Sequence, residues 1–272
     1  KIINKLLKKK KFFKLREKVN LIRYEKSEQI TKYLSSTCDV RIIWGGDDSI
    51  NQIRKYPLSP NAFDVTFADK FSICIISAKN YLNSKAFNKE AEFFYNDTLF
   101  FDQNACTSPK IVIWHGDNKD IILAKNKFWK EFEKIIKKKN YKIFENWNYE
   151  KFYNETNAII NLDIKASKTN NSMIKRIQLK KITQEINSYF SPGGLFFEFD
   201  FKKFSEIKKI FSSKVQTLTY IGFDPNFIKK KLDLDKLNSV DRIVPNGKSS
   251  EISLEWDGYD MVFQISKKLT II

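Results

Sequence analysis

The segment DVRIIWGGDDSINQIR, residues 39–54, runs from an apolar stretch through a Gly-Gly pair into a stretch with apolar residues at Ile50 and Ile53. Asp39 to Trp44 has the composition of a buried strand. Gly45 and Gly46 end it abruptly, and Asp47 or Asp48 is placed to cap the helix that follows. Strand, turn and helix in this order form the unit of open α/β sheets, which take ligands where strands end and helix N–H groups are unpaired. The pair GGDD has neither the GxGxxG spacing nor a P-loop Lys, and two adjacent acids repel a phosphate. A tight turn with an Asp cap and a cofactor-side turn therefore both remain open on these residues alone.

The same alternation extends outward. Upstream, Ser27 is placed to cap a helix carrying Ile30 and Leu34, and Val19 to Arg23 is an extended run. Downstream, Pro57, Ser59, Pro60 and Asn61 form the first clear linker, which sets an expected boundary between residues 1–63 and 64–272. Beyond it, Phe71 to Ile76 and Lys110 to Trp114 read as strands, separated by a helix over 85–99. A longer helix follows, with Phe128, Phe132, Ile135 and Ile136 on one stripe. Tyr141 to Phe144, Ala158 to Leu162, Leu195 to Phe199 and Val215 to Ile221 are further strand candidates. Helices are expected over 172–189, over 203–212 and after Asp224. Repeated crossovers favour largely parallel pairing, so the expected class is α/β with helices covering sheets.

Composition narrows the functions. With 272 residues, 42% of them hydrophobic and including 24 Phe, the chain builds one large core or two modest ones and is neither a disordered tail nor a coiled coil. No run approaches the roughly 20 apolar residues of a membrane span, and a cytoplasmic location is expected. The net charge of +17 is almost all Lys, alongside abundant Ile, Asn and Phe, which reads as a composition-wide drift and a solvated surface. Nucleic acid is therefore not the expected partner, although a basic α/β module binding a polyanion is the rival reading. Three cysteines, Cys38, Cys74 and Cys106, and one imidazole, His115, leave no zinc cluster or disulfide scaffold, and no metal is expected.

Cys106 is the sharpest candidate for chemistry. It lies in the polar loop DQNACTS, where N–H donors or positive charge can favour a thiolate, whereas Cys38 and Cys74 border or occupy apolar strands. Asn104 is a candidate donor to a developing oxyanion. His115 follows a strand, nine residues beyond Cys106, and spacing does not pair the two. Arg242 would suit a carboxylate or phosphate, and Asp257-Gly258 is a turn signal between Trp256 and Tyr259; a packed corner explains both equally well. Glu198, at a strand end after Pro192, Gly193 and Gly194, is a reasonable but unspecific active-site carboxylate.

Taken together, WGGDDSINQIR at 44–54, FFDQNACTSPK at 100–110 and DRIVPNGKSSEISLEWDGYD at 241–260 resemble the long-chain acyl-CoA reductases of the bioluminescence-associated LuxC type, in the aldehyde dehydrogenase superfamily. The resemblance runs in order over nearly the whole chain. It implies an aldehyde dehydrogenase-like α/β fold, with the C-terminal part of a Rossmann-type cofactor domain in 1–63 and a catalytic thiol domain in 64–272. Cys106 matches the acyl-accepting Cys, Gly45 and Gly46 the cofactor-side turn, and Glu198 the late Glu that contacts the cofactor ribose. Thr66 to Asp69 stand where many aldehyde dehydrogenases have Glu-Leu-Gly-Gly, so the usual Glu base for thioester hydrolysis is absent at the matching position. Relatives also carry a region before the point where this sequence begins, with the first Rossmann strands, a cofactor-contacting Lys and the oxyanion-site amide.

The activity so implied is NADPH-dependent reduction of a long-chain acyl-CoA, or of an acyl-protein donor, to a fatty aldehyde through a cysteine thioester. The implied partners are acyl-transferase and acyl-protein synthetase subunits and further copies of the chain. An inactive scaffold subunit of an acyl-processing complex is the second alternative.

Overall fold

A computed structural model describes residues 2–169, 173–237 and 239–271. The chain divides into two compact units, Lys1–Phe67 and Ala68–Ile272. In the first, β1 (Val40–Trp44) pairs parallel with β2 (Phe63–Phe67), Val40 opposite Phe63 and Trp44 opposite Phe67. The expected boundary after residue 63 therefore moves to 67, because Phe63–Phe67 complete this pair. The helix Glu28–Thr37 is capped by Ser27, whose Oγ accepts from Ile30 N at 3.4 Å. The helix Asp47–Arg54 has Gly46 as its N-cap, and neither Asp47 nor Asp48 caps it. Arg41 ties the unit together: it donates to both Asp64 oxygens at 2.7 and 2.9 Å and to the carbonyls of Ile53 and Tyr56. That guanidinium holds the Asp64 carboxyl below its usual range.

The second unit is built on a seven-stranded sheet in the order β5-β6-β7-β4-β3-β8-β9. Its strands are β3 (Phe71–Ser77), β4 (Pro109–His115), β5 (Ile164–Thr169), β6 (Lys175–Leu179), β7 (Leu195–Phe201), β8 (Val215–Ile221) and β9 (Arg242–Pro245). Every pairing is parallel except β5 with β6. A parallel sheet covered on both faces needs apolar side chains on both, and the period of two distributes them. Ile73, Ile75, Ile111, Ile113, Phe197 and Phe199 face one core, while Cys74, Ile76, Val112, Trp114 and Phe196 face the other. The helix Asn118–Lys138 closes the second core with Ile121, Ala124, Phe128, Phe132 and Ile136, a helical stripe buried to 4% or less. A short hairpin, β10 (Glu255–Trp256) and β11 (Tyr259–Asp260), lies near the C-terminus.

Several expected elements differ. Val19 to Arg23 and Tyr141 to Phe144 form no strand, and Ala158 to Leu162 belongs to the end of the helix Glu145–Asn161. Leu21, Ile22, Phe144, Ile159 and Ile160 are exposed there, and none of these stretches pairs with a strand among the described residues. The expected helix over 172–189 is strand β6 followed by a 3-10 segment, Gln184–Tyr189; Ser172 itself lies outside the described residues. The expected helix over 203–212 is two short 3-10 turns, Phe204–Glu206 and Lys208–Ile210. Among the described residues, no helix is long and apolar enough to cross a membrane.

Candidate active site around Cys106

The loop that carries Cys106 follows a 3-10 turn, Leu99–Phe101, and leads into β4. Asp102 and Gln103 both take left-handed backbone angles, φ 54° and 58°, which reverse the chain and turn the Gln103 side chain inward. Gln103 is fully buried and uses both ends of its amide. Nε2 donates to Pro109 O at 3.1 Å and Leu195 O at 3.0 Å, while Oε1 accepts from Gly194 N at 2.9 Å. Gly193 N adds a bond to Asp102 O at 2.8 Å. The loop is thus clamped to the turn before β7. Glycine is required in that turn, since Gly194 has φ 94° and a Cβ there would lie 2.6 Å from Met173 O. Lys151 braces it from the helix Glu145–Asn161, donating to Met173 O and Gly193 O at 2.9 and 2.8 Å, and burial brings its amine down to about 8.

Within this frame the Cys106 backbone is held by Ser72 of β3, whose Oγ donates to Cys106 O at 2.7 Å and accepts from Thr217 N at 3.3 Å. The sulfur is partly exposed and meets Gln216 of β8, Nε2 to Sγ 3.2 Å. The same nitrogen donates to Asp257 Oδ1 from the turn between β10 and β11. Burial and then the Asp257 charge push the thiol above its usual value; the Gln216 amide and the Thr107 and Cys106 N–H groups pull the other way. The resting group is a thiol, already surrounded by donors suited to an anion.

The polar side chain on the sulfur is Gln216, whereas Asn104, the expected donor, is exposed and lines a cavity of ≈ 460 Å³. The two left-handed residues before it turn Gln103 inward and leave Asn104 outward. Lys110, Glu150, Asn187 and Ser191 also line that cavity. Lys110 is buried there, and desolvation lowers its amine to about 7 against the opposing effects of Glu150 and Cys106. Asn187 Oδ1 and Ser191 Oγ are buried without a hydrogen-bond partner, so the cavity suits a ligand rich in hydroxyl or amide groups.

His115 ends β4 among the rings of Phe201, Phe204 and Phe223, at 5.0 to 5.6 Å. It stands at the opposite end of that strand from the Cys106 loop, roughly 20 Å away at the rise of a strand, and forms no Cys/His pair. Glu198 departs from the expected cofactor role. Its Oε1 accepts from the indoles of Trp114 and Trp129 at 2.9 and 2.8 Å, and Arg176 lies 3.5 Å from Oε2. It is 2% exposed, and its oxygens are already engaged inside the protein. Arg242 stacks on Trp256, 4.8 Å from the ring centroid, and donates to the carbonyls of Ser249 and Glu251, so it fastens the C-terminal segment. Asp97 and Glu90 hold the same segment: Asp97 accepts from Gly247 N at 2.6 Å and Ser249 N at 3.0 Å, and Asn246 donates to Glu90 Oε2 at 2.8 Å.

In the first unit, Gly45 N donates to Phe67 O at 3.2 Å and Gly46 caps its helix. Neither glycine has a positive φ, and a Cβ at Gly45 would meet Ser49 Cβ at an ordinary 3.4 Å. The backbone therefore does not demand glycine at either position. What the turn offers a nucleotide cofactor is the backbone N–H groups of a helix start, beside the acidic Asp47 and Asp48, which disfavour a bare phosphate.

The family model of the acyl-CoA reductases (LuxC) matches residues 1–190. The chain belongs to the LuxC family. Two relatives agree: a long-chain acyl-protein thioester reductase of Aliivibrio fischeri is 30% identical over 115 residues, 42% of this chain, and one of Photobacterium leiognathi is 33% identical over 93 residues, 34% of this chain. Those alignments span 22% and 18% of the relatives' own lengths. Among solved structures, aldehyde dehydrogenase 21 of Physcomitrella patens superimposes with a TM-score of 0.55 at 11% identity, over 83% of this chain and 48% of that one. An NADP-dependent enzyme of E. coli gives 0.56 at 8% identity, over 84% and 49%. At such identities the likeness establishes the fold: this LuxC-family chain has the aldehyde dehydrogenase α/β architecture, a partial Rossmann-type unit followed by the larger α/β unit.

Proposed function

We propose that this LuxC-family chain carries the catalytic thiol of a reductase that converts a long-chain acyl thioester to a fatty aldehyde with NADPH. The observation that carries this reading is the setting of Cys106. It is a partly exposed thiol whose loop is fixed by a buried Gln103 clamp and whose sulfur is ringed by an amide and two backbone N–H groups. Such donors stabilise negative charge on sulfur or on an oxygen bonded next to it.

Cys106 loses its proton and its sulfur attacks the carbonyl carbon of the acyl thioester. The new C–S bond replaces the donor's C–S bond, and the donor leaves as a free thiol that takes up one proton. The Cys106 and Thr107 N–H groups face the charge that passes through the tetrahedral stage. NADPH, when bound, supplies the hydride that reduces the acyl carbon; cleavage of its bond to Sγ then releases the aldehyde and returns the thiolate, and a proton restores the thiol. Gly45 and Gly46 would admit the cofactor to the helix start. The polar cavity at Asn104, Lys110, Asn187 and Ser191 would take the hydroxyl- and amide-rich parts of cofactor or donor, not the acyl chain. Thr66 to Asp69 stand where many aldehyde dehydrogenases have Glu-Leu-Gly-Gly, so their water-activating Glu is absent at the matching position.

The test is labelling of the full chain with radiolabelled long-chain acyl-CoA and, separately, with an acylated carrier protein, followed by peptide mapping and NADPH or NADH oxidation. The expected label is on Cys106 and is lost in Cys106→Ala. Labelling that persists in Cys106→Ala refutes the assignment.

A further inference from the structure

We propose that Gln216 is a further catalytic residue at the thiol and that Asp257 is its positioning residue: the Gln216 N–H holds the sulfur when it is anionic, and the Asp257 carboxylate fixes the amide with its nitrogen toward the sulfur. This rests on the reading of Cys106 as the acyl acceptor.

A glutamine amide has two chemically opposite ends, and which end faces a sulfur decides whether it favours the anion or the neutral thiol. Here the orientation has a physical cause. A carboxylate only accepts hydrogen bonds, so the end turned to Asp257 must be the NH2 group, and the same nitrogen lies 3.2 Å from Sγ. Flipping the amide would set Oε1 against the carboxylate. The orientation carries a cost elsewhere, because Gln216 is wholly buried and its Oε1 has no partner. An orphan acceptor at such a depth persists only when something stronger dictates the other end, and Asp257 supplies it.

Asp257 is itself held in place. It occupies a left-handed backbone conformation, φ 49°, in a turn completed by Gly258 at φ 79°, and Trp256 beside it lies under the Arg242 guanidinium. The charged groups around the sulfur are Asp257 from this turn and Lys110 from β4. Asp241 and Arg242 of the β9 region act on Asp257 in turn, and Lys70 pairs with Asp241 at 2.5 Å. The two residues thus act on the sulfur in opposite senses: the carboxylate favours the protonated thiol, and the amide favours the anion.

The experiment is the pH dependence of Cys106 alkylation by iodoacetamide, in the full chain carrying Cys38→Ser, from about pH 6 to about pH 10, read by mass mapping of the Cys106 peptide. Gln216→Met should move the midpoint upward, slowing alkylation near pH 7 about tenfold while the limiting rate at high pH is unchanged. Asp257→Asn, which keeps an oxygen acceptor for the Gln216 nitrogen and removes only the charge, should move it downward and accelerate alkylation near pH 7 by about three- to tenfold, whereas Asp257→Leu, which removes the acceptor as well, should fall short of that acceleration. The constant limiting rate separates a change in ionisation from a change in access. Asp257→Asn, isosteric with the carboxylate, keeps the test decisive should Gln216→Met fail to fold. A Gln216→Met profile that overlays the parent's or moves down overturns the proposal, as does an Asp257→Asn profile that stays or moves up. Both shifts survive if the chain proves not to reduce acyl thioesters, whereas acyl labelling of Cys106 without the shifts defeats this proposal alone.

Discussion

Replacing Gln103 by Leu should both destabilise the second unit and disarm the thiol. The swap roughly conserves volume, but it removes three hydrogen bonds, to Pro109 O, Leu195 O and Gly194 N. A buried partner left unpaired costs about 1–3 kcal/mol, so with three partners the loss should be at least about 3 kcal/mol. Water cannot easily replace the amide, because the residue is fully buried. The left-handed backbone at residue 103 is borne equally by Gln and Leu and drops out of the difference. Against the roughly 5–15 kcal/mol that holds a domain together, this is a large share. Urea unfolding followed by near-ultraviolet circular dichroism of the buried Trp114 and Trp129 would measure it, alongside iodoacetamide alkylation of Cys106. A loss below about 1 kcal/mol with an unchanged alkylation rate would refute the clamp, since it would mean that the loop is held by its backbone alone.

Other outcomes follow from the same geometry. Glu198→Gln should cost about 3 kcal/mol by leaving Arg176 buried opposite a neutral amide, while NADPH affinity of the folded variant stays at the parent value; calorimetry showing weakened binding would restore a cofactor role for Glu198. Gly46→Val should weaken NADPH binding and leave acylation of Cys106 largely intact, because φ −65° and ψ 160° accommodate Val while its side chain would crowd the proposed approach to the helix start. Burial raises the Asp97 carboxyl from 3.8 to about 6, so the native state holds its proton longer than the unfolded chain does, and this group's contribution to stability falls as pH rises from about 4 to about 6. Asp97→Asn should therefore gain on the parent across that window, by up to about 3 kcal/mol, in parallel urea titrations; a difference independent of pH would count against the raised value.

How far the sequence is legible depends on where each residue's partners lie. Strands β3, β4, β7 and β8 were readable because a strand buried on both faces must be apolar throughout, and the stripe at Phe128, Phe132 and Ile136 was readable because a helix face repeats locally. The Cys106 loop stood out by its polar composition between two such elements. What escaped reading depends on distant residues. Gln216 and Asp257 reach the sulfur from 110 residues away and a further 41 beyond, and the only local signal is the Asp-Gly turn. Asn104 and Gln103 are adjacent amides, and composition does not say which turns inward; two left-handed residues decide it. Glu198 seemed free for a ligand because nothing in LFFEFDF announces that two indoles and an arginine converge on it. Val19 to Arg23 has strand composition without a neighbour to pair with, and composition does not supply one.

The wide spacing of the sulfur's partners has a consequence for the newborn protein. Protein synthesis advances at about 5–20 residues per second, so roughly ten to thirty seconds separate the emergence of Cys106 from that of Asp257. For most of that interval β3 has no β8 beside it and the thiol lacks the amide that steadies its anion, and throughout it lacks the carboxylate that restrains it. Parallel strands joined over such distances also form late, since a long loop must close before their contacts repay it. Until then the nascent thiol has the reactivity of an ordinary cysteine and is open to stray oxidation, and its particular reactivity is conferred only when β8 and the turn between β10 and β11 are both in place.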